Sequence, residues 1–218
     1  MLKPKKSLSQ NFLIDKNIAN KIISNITIAN KNIIEIGPGY GMLTDLIIQN
    51  KPKNLIIIEK DNVIYGKLKK KYLNLNYVQI YNGDALNFNY ENYKNYKIIS
   101  NLPYNISTRL ILKFYEKSNF INEILVMLQK EVALKFNYEL IKNNKYKFLT
   151  YIYTKFKICF FISPNVFYPK PKVDSCVVKF IIKKNNYDWI KLNTFINIIF
   201  NQKRKIILRK LNIRNKSL

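Results

Sequence analysis

A chain of 218 residues is long enough for one full-sized domain with a small appendage and too short for an array of domains. Hydrophobic residues make up 48% and charged residues 23%, a globular balance that excludes wholesale disorder. The 38 Lys and Arg against 13 Asp and Glu give a formal net charge of +25, and the absence of His excludes an imidazole base, a His-dependent triad and a His metal ligand.

From the N-terminus, Asp15 is placed to cap a helix whose apolar face is Ile18, Ile22, Ile23 and Ile26. Apolar runs at Asn32–Ile36, Leu55–Ile58, Tyr77–Ile80 and Lys97–Ser100 read as strands. The first three are separated by stretches of helical character, Leu43–Gln49 and Val63–Tyr72. Strands alternating with helices require a parallel sheet covered on both faces. Further along, Ile106–Lys117 reads as a helix, Ile124–Leu128 as a strand and Glu131–Lys142 as a helix. Lys155–Ile162 and Ser175–Ile182 add two strands joined only by a proline-punctuated loop, as antiparallel neighbours are. The expected fold is α/β, a mixed, doubly wound sheet of seven strands. The polar stretch Lys183-Lys184-Asn185-Asn186 ends a domain over residues 1–184, and residues 185–218 read as a basic helical segment.

A polyanion is the expected partner of so basic a chain. Only four basic residues are Arg, however, and the abundance of Lys, Asn, Ile, Tyr and Phe follows AT-rich codons, so mutational drift and a merely solvated basic surface compete with that expectation. Cys159 and Cys176 are too few for a structural zinc site or a disulfide framework. No apolar run of signal-peptide length follows Met1–Ser7, and none reaches the ~18 residues needed to span a bilayer. A reduced, cytoplasmic compartment, no membrane partner and no metal are expected.

Three of only five glycines fall in Gly37-Pro38-Gly39-Tyr40-Gly41, at the end of the first strand of the sheet. Glycines at a strand-to-helix turn permit positive φ and bring a ligand close to the backbone, so Gly37 and Gly39 are candidate cofactor-binding residues. The dinucleotide fingerprint would put its third glycine one residue later. With Glu35 before it, the loop instead resembles the acid-x-Gly-x-Gly-x-Gly pattern of S-adenosylmethionine (AdoMet) methyltransferases. Glu59, about 20 residues beyond at the end of the second strand, is placed to accept from ribose hydroxyls. Asp84, after the third strand, is placed to accept from an adenine amino group. A lone acid at a turn is as often a helix cap, but three motifs at three consecutive strand ends describe one crevice.

Asn101-Leu102-Pro103-Tyr104 follows the fourth strand. The lone pair of adenine N6 is delocalised into the ring, which makes it a poor nucleophile. Acceptors on its hydrogens, the Asn101 side-chain oxygen and a backbone carbonyl such as that of Leu102, favour a pyramidal nitrogen and restore the lone pair. Tyr104 offers a face on which an extracted base stacks. A sulfonium methyl donor is already activated and its leaving group is neutral, so positioning carries the catalysis, as suits a chain without His.

Together with Ser7-Leu8-Ser9-Gln10-Asn11-Phe12-Leu13, Gln129-Lys130-Glu131-Val132-Ala133 and Phe167-Tyr168-Pro169-Lys170-Pro171-Lys172-Val173-Asp174-Ser175, these motifs make the chain resemble the KsgA family of ribosomal RNA adenine N6-dimethyltransferases, in family order over about residues 3–205. The resemblance implies a Rossmann-like AdoMet-dependent fold, with cofactor contacts from Asn11, Leu13, Gly37, Glu59, Asp84 and Asn101. It makes Asn101, Leu102, Pro103, Tyr104 and Phe167 the catalytic set, Tyr104 and Phe167 sandwiching the target adenine; composition alone would leave Phe167 in the core. Two departures, Ser9 for the usual Gly and Arg109 for the common Pro, should not abolish activity.

Members normally continue through a small helical domain, against which 185–218 is a shortened remainder whose Lys203, Arg204, Lys205, Arg209 and Lys210 are expected to face RNA phosphates. The implied reaction is dimethylation of two adjacent adenosines in a loop near the 3′ end of small-subunit rRNA, on a partly assembled small subunit, by a monomer. Two rivals are the related macrolide-resistance enzymes acting on large-subunit rRNA and an RNA-binding assembly factor that keeps the fold without turnover. Pro38, Leu102 and Gln129–Ala133 weigh against the first, and the intact Glu59, Asp84, Asn101 and Tyr104 against the second.

Overall fold

The computed structural model describes residues 10–140, 144–184 and 186–201. Its elements run β1 (Phe12–Leu13), α1 (Lys16–Ile23), β2 (Asn32–Ile36), α2 (Met42–Gln49), β3 (Asn54–Glu59), α3 (Asn62–Lys71), β4 (Val78–Asn82), β5 (Tyr96–Asn101), α4 (Ser107–Glu116), β6 (Ile121–Gln129), α5 (Lys130–Phe136), α6 (Lys145–Tyr153), β7 (Thr154–Ile162), β8 (Phe167–Tyr168), β9 (Ser175–Ile182) and α7 (Trp189–Asn201). Seven strands form one sheet in the order β4-β3-β2-β5-β6-β9-β7. The first five are parallel, and β9 lies antiparallel between β6 and β7. This is the mixed doubly wound sheet expected from the alternation of strands and helices. The central strands β2 and β3 are buried on both faces, which is why they read as isoleucine-rich runs, broken within β2 only by Glu35.

The sheet divides two apolar layers. Ile22, Leu43, Ile47, Ile64 and Leu68 of α1, α2 and α3 cover one face, and Leu110, Phe114, Ala133, Phe136 and Leu149 of α4, α5 and α6 cover the other. After β4 at one edge the chain returns to the middle and lays β5 beside β2. The order of strands therefore reverses between β2 and β5, and the crevice beyond their carboxyl ends is where an open α/β sheet takes its ligand.

Near the start of β6, inside the sheet, Glu123 joins three strands. Its carboxylate accepts from Lys97 Nζ at 2.6 Å and Lys179 Nζ at 2.5 Å, and Lys179 also donates to the Asn25 backbone oxygen behind α1. Asp15 caps α1 by accepting from the Ile18 N–H at 3.0 Å, as the sequence predicts, although the helix ends at Ile23 and Ile26 is buried just beyond it.

The structure departs from the sequence reading in three places. The helix expected over Glu131–Lys142 ends at Phe136, where Asn137 turns to extended backbone. A helix the periodicity did not predict, α6, follows it, capped by the Asn144 side chain on the Tyr146 and Lys147 N–H groups. Two short strands, β1 and β8, pair with each other and tie the N-terminal segment to the loop before β9.

Helix α7 lies on the second apolar layer, with Ile196 fully buried and Trp189 against Tyr153 at 5.6 Å. The basic residues Lys203, Arg204, Lys205, Arg209 and Lys210 lie outside the described residues. No helix among the described residues is long and apolar enough to cross a membrane.

Candidate active site

A cavity of about 560 Å³ opens at the reversal of strand order, within the range of small-molecule sites. Its floor is the glycine loop. Gly37, Gly39 and Gly41 all have positive φ, at 61°, 58° and 87°, and α2 begins immediately afterwards with its N–H groups toward the cavity end of the sheet. Gly39 is required twice over, because a Cβ there would lie 2.7 Å from the Phe12 ring. Phe12 is held by the β1–β8 pairing and packs on Tyr40 at 4.4 Å, so the N-terminal segment closes the loop from above.

The three acids lie on the cavity wall at the strand ends, each in a different electrostatic state. Glu35 is almost wholly buried. Desolvation raises its carboxyl to about 8 although Thr44 donates to it at 2.6 Å. Glu59 is 6% exposed and burial raises it to about 7, while its Oε1 accepts from the Asp61 backbone N–H at 2.7 Å. Burial also acts against ionised Asp84, but the Leu86 N–H and the Lys60 ammonium, each at 2.9 Å, hold its carboxyl below the usual range. Asp84 is thus a fixed anion, and Glu59 is a carboxyl poised to ionise when it gains donors.

Strand β5 delivers the tetrapeptide to the same cavity. Asn101 Nδ2 donates to the Asn11 backbone oxygen at 2.9 Å, which leaves the side-chain oxygen as the group with which Asn101 can accept. Leu102 is buried, and a Cβ added at Gly37 would meet the Pro103 ring at 3.8 Å. The Tyr104 hydroxyl is 2.7 Å from Ser175 Oγ, which fixes the ring at the edge of the cavity, and desolvation raises its phenol.

Asn11, Leu13, Gly37, Gly39, Glu59, Asp84, Asn101, Leu102, Pro103 and Tyr104, singled out in the sequence, therefore line one cavity. Phe167 does not: it pairs with Leu13 across β1–β8, is 3% exposed, and packs in the first apolar layer, while Tyr168 beside it is 49% exposed. Sequence reasoning missed Lys60, Lys16 and Tyr40 on the wall. Lys60 had a signal, since it directly follows Glu59; a lysine in so basic a chain is simply hard to distinguish. Among the described residues no cluster of His, Cys, Asp or Glu could hold a metal.

The cavity suits AdoMet by its donors and acceptors. A buried carboxyl stands at the second strand end where paired hydroxyls would be held, an ionised carboxylate stands at the third, and the glycine loop presents backbone without side chains.

Comparison with known proteins gives the same direction. The model of the family described as ribosomal RNA adenine dimethylase matches residues 1–217. Proteins named ribosomal RNA small subunit methyltransferase A are 39% identical in Hydrogenobaculum sp., over 97% of this chain and 84% of that one, and 37% identical in Mycoplasmopsis pulmonis, over 96% and 84%. A dimethyladenosine transferase from Plasmodium falciparum superposes with a TM-score of 0.80 at 27% identity, over 94% of this chain and 75% of that one. The 23S rRNA methyltransferase ErmE shares the fold, with a TM-score of 0.73 at 20% identity over 87% and 77%. With a family match over almost its whole length and relatives of this identity, the chain belongs to the ribosomal RNA adenine dimethylase family.

Proposed function

We propose that this protein transfers methyl groups from AdoMet to N6 of two adjacent adenosines in a loop near the 3′ end of small-subunit rRNA, giving N6,N6-dimethyladenosine. It would act as a cytoplasmic monomer on a partly assembled small subunit. The observation that carries the reading is that Asn101–Tyr104 forms the wall of the cavity that Glu59 and Asp84 enter from the neighbouring strands. The names of the relatives support the small subunit as substrate. ErmE is similar in fold alone, so nothing favours a large-subunit target, and a silent assembly factor would have no use for the complete tetrapeptide.

Bound AdoMet supplies a methyl group on a sulfonium, with a neutral thioether as leaving group. The protein's own contribution is placement. Glu59 holds ribose hydroxyls, Asp84 accepts from the adenine amino group of the cofactor, and Gly37 and Gly39 let the backbone approach it. Across the cavity, the Asn101 side-chain oxygen and the Leu102 carbonyl accept the hydrogens of the target N6 and turn its lone pair toward the methyl. Tyr104 stacks on the extruded base, with its ring fixed by Ser175. No residue needs to act as a strong base, because the proton leaves after the new carbon bond has made N6 cationic. Pro103 lines the cavity between Leu102 and Tyr104. Phe167 reaches the base only if the segment around β8 rearranges, and Tyr104 therefore carries the stacking role in the structure as it stands.

The basic remainder at 185–218 would add phosphate contacts through Lys203, Arg204, Lys205, Arg209 and Lys210. Mass spectrometry of rRNA from cells with and without the gene tests the whole reading: dimethyladenosine present only with the gene supports it. An unmodified small-subunit rRNA in both refutes it.

A further inference from the structure

The third glycine of the loop has a different use from the first two. Gly37 and Gly39 line the cavity, whereas Gly41 does not. Gly41 has φ 87°, and a Cβ there would lie 2.5 Å from the Tyr72 hydroxyl and 3.6 Å from Leu68 Cδ2. The place of a side chain is thus filled from α3, by the hydroxyl of the residue that closes that helix.

That hydroxyl is fixed in turn. Tyr72 is buried and donates to Asp45 Oδ1 at 2.7 Å, and Asp45 lies in the first turn of α2 with its own N–H on the Gly41 oxygen at 2.9 Å. Gly41 cannot cap α2 with a side chain, so the turn that ends the glycine loop is held from outside. Thr44 ties it to Glu35 of β2 at 2.6 Å, and Asp45 ties it to Tyr72. Lys71 Nζ also reaches Asp45, at 2.6 Å, but that pair is nearly half exposed and contributes little in water. At its other end α3 is capped by Asp61, whose backbone N–H donates to Glu59 Oε1 at 2.7 Å. Helix α3 therefore meets the cofactor site at both ends.

We infer that α3 is a strut that sets the glycine loop against Glu59, and that Tyr72 is a positioning residue for AdoMet binding although it is not on the cavity wall. Its hydroxyl fixes Gly41 directly and the first turn of α2 through Asp45. The loop then presents Gly37 and Gly39 to the cofactor at a set distance from the carboxyl that holds the ribose. This rests on the AdoMet role of the cavity and adds the residue that shapes it from behind. A run of glycines is conformationally permissive, so a loop held in its binding shape before the ligand arrives spares the cost of ordering it.

The test is calorimetry with AdoMet on the full chain. Tyr72→Phe removes the hydroxyl and keeps the ring, so the protein should fold while its Kd for AdoMet rises about five- to tenfold, the effect of one hydrogen bond. Tyr115→Phe is the control, because its hydroxyl is equally buried, lies 3.0 Å from Thr150 Oγ1, and belongs to the apolar layer on the other face of the sheet. It should lower the melting temperature much as Tyr72→Phe does, yet leave AdoMet affinity at the wild-type value. Gly41→Ala supplies a second arm. If Tyr72 acts through Gly41, the two changes are coupled, and Gly41→Ala should weaken binding by a smaller factor in Tyr72→Phe than in wild type. An unchanged Kd in Tyr72→Phe, an equal rise in Tyr115→Phe, or independent effects of the two changes overturns the strut. Unmethylated rRNA in cells carrying the gene would defeat the proposed substrate instead, and these measurements of AdoMet binding would still decide the role of Tyr72.

Discussion

Asn101 Nδ2 and the backbone oxygen of Asn11, 90 residues apart in sequence, are joined at 2.9 Å. One bond thus fixes the amide proposed to face the reacting nitrogen and fastens the N-terminal segment over the cavity. Asn101→Ala should lose both functions: AdoMet affinity falls by about 5- to 100-fold, as for a lost or unsatisfied buried hydrogen bond, and methyl transfer falls further. Asn101→Asp is the sharper probe, because a carboxylate would face the Asn11 oxygen with no proton to give. Calorimetry with AdoMet and a methyl-transfer assay check both; wild-type values in Asn101→Asp would contradict the assigned orientation.

Tyr104 separates binding of base from binding of cofactor. Its ring is expected to stack on the adenine while its hydroxyl only anchors it to Ser175. Tyr104→Phe should therefore keep AdoMet affinity and retain most of the transfer, losing about 1 kcal/mol of positioning. Tyr104→Ala should keep AdoMet affinity and lose most of the transfer, since a stack worth ~1 to 3 kcal/mol is gone. Full dimethylation by the Ala variant counts against stacking.

How far the sequence could be read depended on the range of the interactions. The parallel half was legible because β2, β3 and β5 are buried on both faces and their Ile runs are interrupted by amphipathic helices at regular intervals. The strand ends of that half carry Gly37, Glu59, Asp84 and Asn101, so the cavity was legible with it. Helix α6 was not, because Tyr146, Phe148, Thr150, Tyr151, Ile152 and Tyr153 are residues of strand-like propensity, and the helix forms by packing Leu149 and Tyr153 into the core under the Asn144 cap. Strands β1 and β8 are two residues each and exist only through each other, which no local pattern shows. The same pairing buries Phe167, a consequence invisible to a motif.

The loop itself gives a stability test. Gly39 has φ +58°, and its missing side chain is where the Phe12 ring lies. Gly39→Ala must strain the backbone and displace Phe12, so a loss of about 1 to 3 kcal/mol in unfolding free energy is expected, together with loss of AdoMet binding. Gly66→Ala in α3, with open space at its Cβ and no place on the cavity wall, is the control and should lower neither. Denaturant titration of the two variants separates them; equal stability would show that Phe12 is not fixed against the loop.

The raised carboxyls make both stability and cofactor binding depend on pH. Glu59 and Glu35 keep their protons in the folded protein up to about 7 and about 8, whereas the unfolded chain loses them near the ordinary 4.5. Between these values the folded state holds more protons, so their contribution to stability is full below 4.5 and is lost as pH rises toward 8. Cofactor binding should run the other way. Hydroxyl donors favour ionised Glu59, so AdoMet affinity should rise from pH 6 to pH 8, by up to about tenfold per unit below the carboxyl's midpoint. Glu59→Gln should bind more weakly at pH 8 and lose most of this dependence. Calorimetry at pH 6, 7 and 8 and melting curves of the free protein measure the two trends, and a flat binding profile in wild type would remove Glu59 from the contact.

The basic residues beyond α7 can be tested by a truncation that keeps the whole helix. Ile196 is fully buried, Trp189 rests on Tyr153, and the Phe200 ring is 6.3 Å from that of Phe148, so α7 belongs to the second apolar layer and must stay. Removing residues 202–218 spares all of this packing while deleting Lys203, Arg204, Lys205, Arg209, Lys210 and Arg214. If these side chains neutralise phosphates, the truncated protein should melt near the wild-type temperature and bind AdoMet normally. Its subunit affinity should fall, and its salt slope should fall by ~0.7 to 0.9 for each phosphate that is no longer neutralised. If instead the segment serves packing, the melting temperature drops while the salt slope is unchanged. Subunit binding across a salt series, measured beside a melting curve, distinguishes the two, and the second pattern would defeat the electrostatic role.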